Sequence, residues 1–124
     1  MLSSMSPTFI ETDDKVGLLG TPGGSRIISM VLLAILEAEK AAEPSSWVGL
    51  PRYHHQYLPD VIQYEPDALS QDLKASLKQK GHQLKSVGRS YGNMQAILWN
   101  RKAQQVMSAS DPRGSGAAIV EEMR

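Results

Sequence analysis

The sequence predicts an α+β fold of antiparallel strands and two main helices. Three observations carry that reading. Short apolar runs separated by turn residues occur in pairs near both ends, across Thr8–Gly20 and Met94–Ala109, which is the pattern of hairpins. The stretch from Ser25 to about Lys40 is too long and too continuously apolar for a strand, and reads as a helix. Leu69, Leu73 and Leu77 recur every fourth residue, which puts them on one helical face.

The elements follow in order. Leu2–Thr8 is a loop rich in Ser, with Pro7 disfavouring helix at Ser6. Thr8–Thr12 and Val16–Gly20 read as strands joined by a turn at Asp13-Asp14-Lys15. Gly20-Thr21-Pro22-Gly23-Gly24-Ser25 then turns the chain into the first helix, with Ser25 as its expected cap. That helix is apolar nearly all round in its first half, so burial on most sides is expected. One small domain can hardly wrap such a helix, so part of its cover is expected from elsewhere. The second half turns polar and Pro44 marks its stop. Ser45–Asp60 reads as irregular, and Val61–Tyr64 as a strand. Pro66 or Asp67 opens a helix to Lys80, with Lys74, Lys78 and Lys80 near its negative end and Gly81 as its stop. His82–Val87 is a short strand and Gly88–Gly92 a loop. Met94–Trp99 and Gln104–Ala109 form a hairpin turning at Asn100–Ala103, and from Ala117 the tail frays or forms a weak helix.

Composition narrows the function. The chain has 124 residues, which allows at most one small domain. Its 13 basic and 13 acidic residues cancel, which argues against nucleic-acid or membrane-surface binding driven by bulk charge. There is no cysteine, so disulfides, thiol catalysis and cysteine-based zinc sites are excluded. The longest apolar run, Met30–Leu36, is far short of the ~18 residues of a membrane span. Met1-Leu2-Ser3-Ser4 has neither the basic nor the apolar region of a signal peptide.

Three stretches bear chemistry. The Gly23-Gly24 pair lets the backbone take positive φ and lets another group approach closely. Amides at a helix start have no intrahelical partner and sit at the positive end of the dipole. Such a turn can hold a phosphate or the oxyanion of an acyl-transfer intermediate; a plain tight turn is the simpler alternative. Ser3 and Ser4 are neighbouring hydroxyls that can donate as a pair to a carboxylate, though loop serines are usually just solvated. His54 and His55 invite a metal reading, but adjacent side chains on extended chain point to opposite faces and no third ligand is suitably spaced. A structural hydrogen-bonding role is the stronger expectation for them.

Several stretches in fixed order resemble one family. They are Ser3-Ser4-Met5-Ser6-Pro7-Thr8, Gly20-Thr21-Pro22-Gly23-Gly24-Ser25-Arg26-Ile27, Pro51-Arg52-Tyr53-His54-His55-Gln56-Tyr57-Leu58-Pro59-Asp60, Gly92-Asn93-Met94-Gln95 and Ala109-Ser110-Asp111-Pro112-Arg113. Together they resemble the C-terminal part of the small subunit of γ-glutamyltranspeptidase (glutathione hydrolase), across nearly the whole chain. The resemblance implies part of an N-terminal nucleophile hydrolase αββα sandwich, with residues 1–124 as a C-terminal fragment of the small-subunit domain. It implies an enzyme that takes a γ-glutamyl group from glutathione or another γ-glutamyl compound and passes it to water, an amino acid or a peptide. It further implies that the Gly23 and Gly24 backbone amides form the oxyanion hole and that Ser3 and Ser4 bind the α-carboxylate of the γ-glutamyl group. No cofactor and no metal is implied. Periplasmic or secreted localisation follows from the family alone.

The departures are as informative. In the family a threonine upstream of the Ser-Ser motif is the nucleophile, and Thr8, Thr12 and Thr21, the threonines of this chain, do not match its motif. The large subunit, which supplies an arginine to the carboxylate, and the N-terminal part of the small subunit are the missing partners. The chain by itself is expected to be inactive, and its buried helix to lack covering layers. Glu43–Leu50 departs from the family's commoner sequence. Other readings are a related acylase of the same fold, a nucleotide-binding module, and a non-catalytic remnant or interaction protein. The nucleotide reading is weakened because no Lys follows in P-loop spacing and the glycines do not match GxGxxG.

Overall fold

The computed structural model describes residues 6–40 and 43–121. In chain order the elements are β1 (Thr8–Glu11), β2 (Lys15–Gly20), a 3-10 turn (Gly24–Arg26), α1 (Ile27–Lys40), α2 (Pro44–Gly49), β3 (Tyr53–His54), β4 (Ile62–Tyr64), α3 (Gln71–Gln79), β5 (Leu84–Ser86), β6 (Gln95–Asn100) and β7 (Gln105–Ser110). They fall into two units, Met1–Gly49 with Gly92–Arg124, and Leu50–Tyr91.

In the first unit, β1, β2, β6 and β7 form one sheet in that order. Every pair in it is antiparallel. Both hairpins lie where the alternation of apolar and turn residues puts them. The first is closed by the Thr12 amide donating to the Lys15 carbonyl at 2.9 Å. Register sorts the side chains into two faces, since partners across a ladder share a face. One face carries the rows Thr8–Leu19–Ala96–Ala109 and Ile10–Gly17–Leu98–Met107. There Leu19, Ala96 and Leu98 are buried, together with Ile27, Met30 and Ala34 of α1 and Trp47 and Val48 of α2. Gly17 has a packing role: a β-carbon there would stand 3.3 Å from the Trp47 ring. A bare strand backbone therefore makes room for the indole.

The other face carries the rows Phe9–Leu18–Ile97–Ser108 and Glu11–Val16–Trp99–Val106. Phe9, Ile97, Trp99 and Val106 on it are exposed. An antiparallel sheet that ends against water normally alternates apolar-in with polar-out, and this one does not. The same holds for α1, whose Ile28, Leu32 and Leu36 form an exposed apolar stripe one turn apart. The helix expected to be buried on most sides is therefore packed on one face only within this chain.

In the second unit, β3 pairs antiparallel with β4, and β4 pairs parallel with β5. The parallel pair departs from the expected all-antiparallel arrangement. Its cause is α3, which carries the chain back across as a crossover and so delivers β5 in the same direction as β4. Glu65 is buried and holds both ends of this unit. Its Oε2 accepts from the Arg52 amide at 2.9 Å and its Oε1 from the Tyr91 amide at 2.8 Å. The Arg52 guanidinium in turn donates to the Tyr91 carbonyl.

Three local expectations change. Pro44 does not only stop α1; it opens α2, a position where its missing N–H costs nothing and its fixed φ suits the first turn. Burial of Trp47 and Val48 favours this short helix where the sequence reads as irregular. Ser25 is not a cap: it lies within the 3-10 turn, whose N-cap is Gly23 with no side-chain cap bond. The third helix begins at Gln71 rather than at Pro66 or Asp67, because Asp67 takes φ +39 in a tight turn. Leu69 is thus buried ahead of the helix, and Leu73 is exposed. Ser70 caps α3 by accepting the Leu73 amide at 3.2 Å. Gly81, at φ +91, ends the helix as expected, with the His82 amide donating to the Leu77 carbonyl at 3.0 Å. Ser70→Ala is expected to cost α3 about 1 kcal/mol, read as faster hydrogen exchange at the Leu73 amide; unchanged exchange there would refute the cap.

Candidate active-site turn

The glycine turn follows β2 and leads through the 3-10 turn into α1. Gly23 has φ +153 and ψ 12, and Gly24 has φ +60. Both glycines are exposed, while Thr21 just before them is wholly buried.

What orients the amides is the other end of each peptide unit. A trans peptide is planar, so its N–H points away from its C=O. The Pro22 carbonyl accepts from the Thr21 hydroxyl at 2.9 Å, which turns the Gly23 N–H the opposite way. The Gly23 carbonyl accepts from the Arg26 amide at 3.3 Å, which does the same for the Gly24 N–H. The Gly24 carbonyl accepts from the Ile27 amide. The Gly23 and Gly24 carbonyls thus face the first amides of the helix, the Pro22 carbonyl faces the Thr21 hydroxyl behind the turn, and peptide planarity directs the Gly23 and Gly24 N–H groups away from those partners. Among the described residues neither amide donates a hydrogen bond. This is the arrangement that binds negative charge at a helix start.

A buried network stands behind the turn. The Thr21 Oγ1 accepts from the Asn93 amide at 3.3 Å. The next residue, Met94, is fully buried. Its amide donates to Asp111 Oδ2 at 2.9 Å, and its carbonyl accepts from the Asp111 amide at 2.9 Å. Asp111 Oδ1 accepts from the Arg113 amide at 3.0 Å and from Arg113 Nη1 at 3.1 Å. Arg113 Nη1 also donates to the Val48 carbonyl at 3.1 Å. The motifs around Asn93 and Asp111, far apart in sequence, therefore meet behind the glycines. Thr21, set directly before Pro-Gly-Gly and without a match to the nucleophile motif, thus takes a structural place in this network.

The remaining expected site residues are placed as follows. Ser3 and Ser4 lie outside the described residues. His54 Nε2 bonds Gln56 Oε1 at 3.0 Å, and His55 Nε2 bonds Asp60 Oδ1 at 2.7 Å. Each histidine is thus engaged structurally, with His54 buried at the end of β3 and His55 exposed just past it. Among the described residues no group of three metal-binding side chains comes together. A cavity of about 460 Å³ opens on the uncovered sheet face, lined by Phe9, Leu18, Ile97 and Ile119, with Gly20 at the end that leads into the turn. No helix among the described residues is long and apolar enough to cross a membrane.

Comparison with known proteins agrees with the motifs. The family model described as gamma-glutamyltranspeptidase matches residues 1–121. The glutathione hydrolase proenzyme of Pseudomonas aeruginosa is 42% identical over 130 residues, covering 97% of this chain. That of Escherichia coli is 37% identical and covers 90% of this chain. The chain spans only 22% and 19% of the length of these two relatives. Among solved structures, the gamma-glutamyltranspeptidase from Pseudomonas nitroreducens complexed with L-DON superposes with a TM-score of 0.82 at 39% identity, covering 98% of this chain and 64% of that one.

Proposed function

This chain belongs to the γ-glutamyltranspeptidase family, and from that premise we propose that it furnishes the oxyanion-binding part of an active site that cleaves γ-glutamyl amides. Glutathione or another γ-glutamyl compound is the donor, and water, an amino acid or a peptide is the acceptor. The observation that supports this reading is the glycine turn, with its carbonyls engaged and its Gly23 and Gly24 amides directed outward. A nucleophile adds to the γ-carbonyl carbon, and the carbonyl oxygen takes up the negative charge. Two N–H donors aimed at that oxygen hold the tetrahedral species more tightly than the carbonyl, and this difference lowers the barrier. Collapse then breaks the C–N bond, the amine leaving with the proton that the nucleophile gave up, and the acyl-enzyme that remains is resolved by the acceptor over the same two donors.

The nucleophile in this reading comes from outside the chain, on the N-terminal part of the small subunit, alongside a large subunit. Thr21 is buried and its hydroxyl is committed on both sides, which disqualifies it. Residues 1–124 then form the C-terminal part of the small-subunit domain, and Ser3 and Ser4 bind the substrate α-carboxylate. The fold is that of the N-terminal nucleophile hydrolases, and the apolar rows on the open sheet face fit a sandwich in which a second sheet lies against the first. A periplasmic or secreted site of action follows from the same reading.

The test is a chimera in which this chain replaces the matching segment of the Pseudomonas aeruginosa proenzyme. Self-cleavage and turnover of a γ-glutamyl anilide are expected. A folded, self-cleaved chimera that releases no aniline would overturn the proposal.

A further inference from the structure

We propose that Thr21 is a positioning residue for the Gly23 amide, an inference that rests on the oxyanion-hole reading above. Pro22 has its φ fixed by its ring, so the direction of the Gly23 N–H is set mainly by rotation about the next backbone bond, Cα–C of Pro22. One bond restrains that rotation from the carbonyl side, the Thr21 hydroxyl donating to the Pro22 carbonyl at 2.9 Å. A hydroxyl carries a single proton. It is directed to Pro22 because the other side of the oxygen is occupied by the Asn93 N–H at 3.3 Å. The donor–acceptor sense of the pair is thereby determined.

Asn93 is itself held from several sides. Its side-chain Oδ1 accepts from Gln95 Nε2 at 3.0 Å. A β-carbon on Gly114 would collide with that same side chain, so a bare backbone passes close behind it. Asp111 clamps the next residue through both its amide and its carbonyl. The direction of an exposed amide at the helix start is thus referenced, through one buried hydroxyl, to the hydrogen-bonded residues that flank the open end of the β6–β7 pair. Neither the turn glycines nor the proline supply such a reference.

A structural role alone would make Thr21 matter for folding and not for rate, and the experiment separates the two. Thr21→Val removes the hydroxyl at nearly constant volume, and Thr21→Ser retains it. In the 124-residue chain, Thr21→Val is expected to speed hydrogen exchange of the Asn93 amide about tenfold or more and to shift the Gly23 amide resonance, while Thr21→Ser keeps both near the parent values. In the chimeric enzyme, assayed well below its melting temperature, Thr21→Val is expected to lower kcat about 10- to 100-fold with KM for the γ-glutamyl donor little changed. Thr21→Ser is expected to restore kcat. If Thr21→Val does not accumulate as folded enzyme, Thr21→Ala reads the same loss. A folded Thr21→Val or Thr21→Ala enzyme with parental kcat overturns the proposal, provided that Gly23→Ala in the same enzyme lowers kcat. If Gly23→Ala also leaves kcat unchanged, the oxyanion reading falls and the positioning role falls with it.

Discussion

Asp111→Ala is expected to destabilise the first unit by about 3–5 kcal/mol. Asp111 is almost wholly buried. Its two carboxylate oxygens accept from the Met94 amide, the Arg113 amide and the Arg113 guanidinium. Truncation takes the acceptor from the amide of fully buried Met94, which costs about 1–3 kcal/mol where water does not reach. It also takes the counter-charge from Arg113, whose side chain is only 13% exposed. Some of this loss is recovered, because Arg113 keeps its bond to the Val48 carbonyl. Asp111→Asn keeps one acceptor oxygen and the shape, and is expected to cost about half as much. Urea unfolding of the chain, followed at the tryptophans, measures both. A midpoint for Asp111→Ala corresponding to less than about 1 kcal/mol would show that the network is incidental.

The network also shows which parts of the molecule were legible in the sequence. Both hairpins of the large sheet were, because alternation and turn residues are local signals. The first helix was legible to within two residues, and so was its unusual apolar surround, which the structure resolves into a packed face and the open stripe Ile28, Leu32 and Leu36. The glycine turn was legible as backbone geometry, since positive φ at Gly23 and Gly24 is a property of the residues themselves. What was not legible is long-range. Glu65 joins Arg52 and Tyr91 across 13 and 26 residues, and Thr21 meets Asn93 across 72. No spacing rule connects such pairs. The parallel β4–β5 pair was missed for a related reason, because direction follows from how α3 returns the chain and not from either strand's own sequence. The short helix at Pro44 was missed because burial of Trp47 and Val48 outweighs a local pattern that reads as irregular.

Gly23→Ala in the chimeric enzyme is expected to lower kcat about 100- to 1000-fold with little change in KM, the loss that follows removal of an oxyanion donor. Gly23 lies between the two peptide units that carry the proposed donors, so its φ and ψ set how the Gly23 and Gly24 amides are aimed relative to each other. Its φ of +153 is closed to L side chains. A β-carbon there would also collide with the terminal methyl of Met30, a residue of the core. That methyl is the end of a flexible side chain and can give way, so the collision is the lesser cost; the backbone angle cannot be kept. Rotation away from it moves both amides at once. Gly24 makes the contrast. Its φ of +60 lies in the left-handed region that alanine reaches for about 1–2 kcal/mol, and a β-carbon there meets nothing within 4 Å. Gly24→Ala is therefore expected to leave the aim of the amides nearly intact and to lower kcat less than about tenfold. Steady-state kinetics on the two self-cleaved variants, with folding checked by thermal melting, decides the matter. Equal and small losses would mean that the amides of this turn do not face the developing charge. A large loss confined to Gly23→Ala would tie the rate to the direction of two backbone N–H groups.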